Sequence, residues 1–287
     1  MLDAADLAAE LDSIGGLPIT DRMEPLARIG RRALDGADEG LNTAIAAHLA
    51  ALVDEGVGAA RQRLELGEIL GLLGDPRLHQ STDKAYWAAV DSEDGPLAIG
   101  RHLVTNAEYR AFIDAKGYDD KSLWTDEGWA WRSECDDLWP TKASAAEAAP
   151  FVVPNQPVVG VSWYEATAFS RFHDSRLPSF DERLWAVRGA ERRPYPWGSP
   201  FGKGNANTRE EVLGRPCAVG LYLKDRTPDG VCDLAGNVAE WAADGAGDEH
   251  WVHPGCWAES FESSWAKARL LVPPTHRSAR LGFRLAR

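Results

Sequence analysis

The chain is short of positive charge. Lys and Arg together number 31 against 44 Asp and Glu, a formal net charge of −13. Nucleic-acid recognition rests on Lys and Arg neutralising phosphates, so a nucleic-acid partner is not expected. The local basic spots, RRP at 192–194 and several arginines within 269–287, read as partners for carboxylates in an acidic protein. Cysteine is also scarce: Cys135, Cys217, Cys232 and Cys256 are far apart and form no CxxC pair. The opening stretch MLDAADLAAELD has no basic region followed by an apolar one, so a secretory leader is not expected and reduced thiols in the cytoplasm are. No stretch approaches the roughly 20 apolar residues of a membrane span, so no membrane association is expected. There is no GxSxG, no HExxH and no P-loop lysine motif, which removes the commonest hydrolase and phosphate-cradling signatures.

Tryptophan, by contrast, is abundant, with 12 copies. Its N–H needs a partner when buried, so such a count points to an irregular fold held by aromatic plugs, or to a recognition surface. At 44% hydrophobic and 26% charged, the chain should bury a real core. Its texture divides it near residue 80, giving a helical segment over 1–80 and an irregular domain over 81–287. In the first part Leu26, Ile29 and Leu34 suit one helix. Leu41, Ile45, Leu49 and Leu52 mark another, and Leu64, Ile69 and Leu72 a third. Glycines punctuate them. A bundle is predicted, serving as a packing brace or as a dock for another protein.

In the second part tryptophan, proline and glycine rise and three helices are predicted from their caps. NAEYRAFIDAKG (106–117) has Thr105 or Asn106 as N-cap and Gly117 as stop. SWYEATAFSRFHDS (162–175) pairs Ser162 with Glu165, and SFDERLWAVRG (179–189) pairs Ser179 with Glu182. Both pairs have capping-box spacing. Short strands are expected at FVV, PVVGV and LGFRLA, and Trp163, Trp197 and Trp241 read as core plugs. In CDLAGNVAEW, Asp233 and Glu240 are carboxylates seven apart around Gly236. Two carboxylates and the exposed carbonyls of a turn suit a hard cation such as calcium; the alternative is a metal-free loop whose carboxylates pair with arginines.

Six segments in order resemble the formylglycine-generating enzyme/sulfatase-modifying family: LVTNAEYRAFIDAKGY (103–118), NQPVVGVSWYEATAFSRF (155–172), RLPSFDERLWAVRGAE (176–191), YPWGSPFGKGNANT (195–208), DGVCDLAGNVAEW (229–241) and RSARLGFRLAR (277–287). The resemblance covers roughly 85–287. It implies an α+β architecture: an N-terminal helical bundle followed by a C-type-lectin-like domain with much irregular structure. It also implies a calcium loop on Asp233, the carbonyls of Gly236 and Val238, and Glu240, with a second near Asn207, Thr208, Glu211 and Leu213. One departure stands out: the tryptophan usual in the middle of the 179–189 helix is replaced by Arg183, so packing there must differ.

The family's oxidases hold copper(I) with two cysteines, because a soft ion prefers thiolate. By this resemblance those positions fall on Glu259 and Ser264, neither a soft ligand. A branch that makes carbon–sulfur bonds holds iron with three histidines. Here the helical segment offers His48 and then His79, outside any HxxxH arrangement, and His173 and His276 stand far apart. Neither copper nor iron is therefore expected. His253 and Cys256 form the one local nucleophile–base pair, with no orienting acid in view. What remains is recognition of a protein ligand. Trp257, Glu259, Phe261, Ser264, Trp265, Lys267 and His276 form the candidate binding face, since mixed aromatics and isolated charges suit a hot spot. Variable proteins of diversity-generating retroelements and components of bacterial defence systems share the resemblance. The divergent redox or sulfur-transforming enzyme is the alternative.

Overall fold

A computed structural model describes residues 4–92, 95–135 and 151–287. Four helices open the chain: α1 (Ala4–Gly15), α2 (Met23–Ala33), α3 (Glu39–Asp54) and α4 (Ala60–Leu73). Asp38 caps α3 by accepting from the Leu41 N–H at 2.9 Å, the usual service of an aspartate to an otherwise orphaned donor. Leu7, Leu26, Ile29, Ile45 and Leu49 are fully buried between these helices. The expected spacing fails at two places. Leu34 lies just past the end of α2 and is exposed, and Leu72 faces solvent, because α4 buries Leu66, Ile69 and Leu70 instead.

The bundle shares its core with the second half of the chain. Cys217, Leu221 and Tyr222 join the same apolar cluster. The contact is close because α4 presents Gly67 and Gly71, one turn apart. A Cβ at Gly67 would stand 2.9 Å from Ala218, and one at Gly71 would stand 2.2 Å from the Asn155 side chain. Asn155 Nδ2 donates to the Gly67 carbonyl at 2.9 Å and to Asp75 at 2.8 Å. Arg215 pairs with Glu68 at 2.9 Å.

Beyond the bundle, β1 (Trp87–Ser92) pairs antiparallel with β2 (Gly95–Gly100). The helices α5 (Asn106–Asp114), α6 (Asp126–Glu134), α7 (Trp163–Phe172) and α8 (Phe180–Arg188) follow. The capping boxes at Thr105/Glu108, Ser162/Glu165 and Ser179/Glu182 are all formed; α6 was not anticipated. A four-stranded sheet closes the domain in the order β5–β4–β3–β6, with β3 (Ala239–Ala246), β4 (Glu249–His253), β5 (Leu270–Val272) and β6 (Leu281–Gly282). FVV and PVVGV form no strand. PVVGV is extended but is tied by single bonds, Val158 N–H to Val104 O and Gly160 N–H to Ser278 O, rather than by a ladder. Of LGFRLA only Leu281–Gly282 is strand. The rest of that tail still organises the domain: Gly100 donates to Leu285 and Val104 to Phe283. The core at this level is aromatic, with Tyr109, Phe112, Phe169, Trp241 and Phe283 fully buried and in mutual ring contact apart from Trp241.

Candidate functional site

The segment 254–280 leaves β4, makes a short 3-10 turn over Phe261–Ser264, enters the edge strand β5 and returns to β6. It is fastened from outside. The Arg209 N–H donates to the Glu259 carbonyl, and the Phe261 N–H reaches the Glu210 carboxylate. A shallow cavity of about 390 Å³ opens between this segment and β3, β4 and β6. Its walls are apolar, including Val252, Leu270, Val272 and Leu281, and Glu259, His276 and Arg280 supply the charge and polarity. Arg280 pairs with Glu259 at 3.4 Å.

The seven residues read as one binding face separate into several environments. Glu259 and His276 line this cavity. Trp265 is 49% exposed, and Phe261 is exposed but stacks on Phe201 with centroids 5.0 Å apart. Trp257 is only half-buried; it meets Phe151 edge-on and lies under the Arg280 guanidinium. Ser264 is a correction. It is 4% exposed with its Oγ buried, because the 3-10 turn tucks it against Gly255, so it cannot meet a partner at the surface. Lys267 is a second correction, since it turns away to a different cavity, beside α8. Sequence reasoning missed Leu270 and Arg280 in the cavity wall. The signal was there in ARLLV, two leucines side by side in a strand, one of which must face outward.

Cys256 also lines the cavity but is almost wholly buried, and burial pushes its thiol pKa up. A thiol that keeps its proton is a poor nucleophile and a poor metal ligand. His253 is turned against Phe180, ring on ring at 4.3 Å. It is not arranged as a base for the cysteine. Of the three expected tryptophan plugs, Trp241 is fully buried and donates to Val161 O. Trp163 and Trp197 are only half-buried, stacked on His250 and on Tyr195.

The loop expected to bind calcium is held differently. Glu240 is fully buried and both of its oxygens are taken by guanidinium groups: Arg183 on Oε1, Arg284 on Oε2 and also on Oε1. Arg183 further donates to Leu234 O, and Arg284 to Gly100 O and Cys232 O. Asp233, in a left-handed conformation with φ 57°, accepts the Gly220 N–H. Burial raises its pKa to about 6, and that of neighbouring Asp225 to about 8. Asn237 exchanges two hydrogen bonds with the Cys217 backbone. In this arrangement two guanidinium charges stand against Glu240 where a cation would have to sit, so the donor set Asp233, Gly236, Val238 and Glu240 does not fit a calcium ion. Arg183 explains it: beside Arg284 it places a second cation on Glu240. At the other loop, Glu211 is occupied by the Gly204 N–H and the Tyr222 hydroxyl, while Asn207 Oδ1 is buried without a hydrogen-bond partner among the described residues. No group of three or more His, Cys, Asp and Glu is placed to hold a metal among the described residues, and none of their helices is long and apolar enough to cross a membrane.

Comparison with known proteins fits this fold. The Sulfatase-modifying factor enzyme 1-like domain family matches residues 62–287, and the chain belongs to that family. The match starts inside α4, the helix that packs on the second half of the chain. Among curated relatives, a hercynine oxygenase of Mycolicibacterium thermoresistibile is 31% identical over 226 residues, covering 66% of this chain and 50% of its own length. The mouse protein named inactive C-alpha-formylglycine-generating enzyme 2 is 26% identical, covering 76% of this chain and 87% of its own length. Of solved structures, PvdO from Pseudomonas aeruginosa superposes with a TM-score of 0.53 at 22% identity, over 67% of this chain and 80% of PvdO. That likeness concerns the fold. The chain spans half or less of the length of the hercynine oxygenases it matches.

Proposed function

We propose that the protein is a noncatalytic binding module that recognises a protein ligand through residues 257–280. The observation that carries this reading is a concentration of exposed apolar side chains. Phe261, Trp265, Leu270 and Leu271 are all exposed within eleven residues, beside the 390 Å³ cavity. Scattered exposed apolar residues need no explanation, but a cluster rimmed by charge marks an interaction site. Ligand chemistry supports the same reading. At the positions where an oxidase needs two thiolates, Glu259 is already paired with Arg280 and Ser264 is buried. A diversified binder or a defence-system sensor is a narrower form of this function, with the four free cysteines in keeping with a reducing cytoplasm. A reverse-transcriptase gene nearby with a repeat matching 253–287 would single out the first.

The second reading is a divergent redox or sulfur-transforming enzyme, favoured by the likeness to hercynine oxygenases and formylglycine-generating enzymes. Two variants separate the readings. Trp265→Ala and Leu270→Asp should each weaken a purified partner at least tenfold, about 1.4 kcal/mol, with unchanged melting. An unchanged partner affinity in both variants moves the surface elsewhere. Turnover of a thiol or a histidine betaine by the metal-loaded protein favours the enzyme.

A further inference from the structure

The cavity that receives Lys267 is separate from the one just described. It has a volume of about 440 Å³ and runs along the exposed face of α8, with Leu184, Trp185, Arg188, Arg192 and Lys267 in its wall. Pockets for small ligands begin at about 300 Å³.

Cations near the end of a helix ordinarily offset the exposed carbonyls there. At α8 Arg188 stands in the last turn, and Arg193 caps it: the Arg193 Nε donates to Val187 O at 3.1 Å and its backbone N–H donates to Arg188 O. Arg193 also pairs with Glu191. Glu182, which touches the cavity, is neutralised by two bonds of 2.6 Å from Arg176. Arg188, Arg192 and Lys267 form no ion pair among the described residues. Among the described residues of the lining, these three cations face one unpaired carboxylate, Asp181. With Glu182 offset by Arg176, the described lining therefore carries an excess of two positive charges on a chain of net charge −13. The basic spot at 192–194, expected to be spent on salt bridges, is spent only at Arg193.

We propose that this cavity binds a small phosphate monoester. The charge excess matches a phosphate group, which carries about −1.5 to −2 near neutral pH. Arginine suits its oxygens through paired N–H donors. The cavity extends beyond a bare phosphate along Leu184 and Trp185, so an apolar or planar substituent lies on that wall.

The test is calorimetric titration at low salt with phenyl phosphate, inorganic phosphate and phenol. Phenyl phosphate should saturate one site and bind more tightly than inorganic phosphate, and phenol should not bind. The triple variant R188Q/R192Q/K267Q should weaken phenyl phosphate at least tenfold. Lys267→Glu, which changes one exposed side chain and so spares the fold, should weaken it severalfold. Added salt should weaken it too, because the site is open to solvent. No saturable binding of phenyl phosphate, or equal affinity in wild type and both variants, overturns the proposal.

Discussion

Glu240 illustrates how one substitution redirects a loop. A buried carboxylate must be paired, and removing a partner from a buried pair costs about 3–5 kcal/mol. Here Arg183 and Arg284 share the burden, and Glu240 is held below the usual carboxylate range by both, against the opposing effect of burial. Glu240→Gln strands two buried guanidinium groups and should lower stability by about 3–5 kcal/mol. Arg183→Met leaves the Arg284 pair intact and should cost less, about 1–3 kcal/mol for the lost hydrogen bonds. Denaturant unfolding measures both. If the guanidinium groups stand in for a cation, the wild-type melting temperature is the same in calcium and in chelator; a calcium-dependent rise that Asp233→Ala removes would contradict this.

His253 sets a pH dependence at the same scale. Burial, together with the Arg183 and Arg284 charges, holds its pKa well below the ordinary value. The native imidazole stays neutral where the unfolded one takes a proton, below about pH 6.5. The unfolded state then binds more protons, so stability falls as pH drops through that range. Asp225 and Asp233, with raised pKa values, act in the opposite direction, but they are common to wild type and variant. His253→Phe should therefore lose less stability than wild type between about pH 7 and pH 5. Equal losses would mean His253 titrates normally.

Among the elements, α4 joins the two halves through its glycines. A mid-helix Gly→Ala ordinarily stabilises by about 1 kcal/mol. At Gly71 the sign should reverse, because the added Cβ meets Asn155, and overpacking costs about 1–3 kcal/mol. A Gly71→Ala protein more stable than wild type would show that the bundle does not pack as described. The elements also show what was legible beforehand. Helices with paired capping residues were legible because a Ser or Thr and a Glu three apart are a local signal. The strands were not. β3 lies in the stretch read as a loop, and its pairing with β6 is parallel and long-range, Ala239 opposite Leu281. No local pattern encodes such a partner. The phase of α4 failed at Leu72 because its buried face answers to residues 217–222, far along the chain. For the proposed face, the sequence did not reveal that its side chains divide between two cavities, because the turn at Phe261–Ser264 decides which of them share a side.

For the whole molecule, the fold is a scaffold that holds the segment 254–280 between β4 and β6. Glu259, Arg280 and His276 ring an apolar hollow, with Phe261, Trp265 and Leu270 exposed around it. Trp265→Ala should change unfolding free energy by no more than about 0.5 kcal/mol, as surface changes usually do, while reducing partner affinity. A large stability loss would instead make Trp265 a structural plug. The central claim is recognition without catalysis, and oxygen consumption tests it most directly. Purified protein loaded with copper(I) or iron(II), washed of free metal and supplied with a thiol peptide or a histidine betaine, should retain no stoichiometric metal and consume no oxygen above the metal-free control. One bound metal per chain with substrate-dependent oxygen uptake would contradict the account.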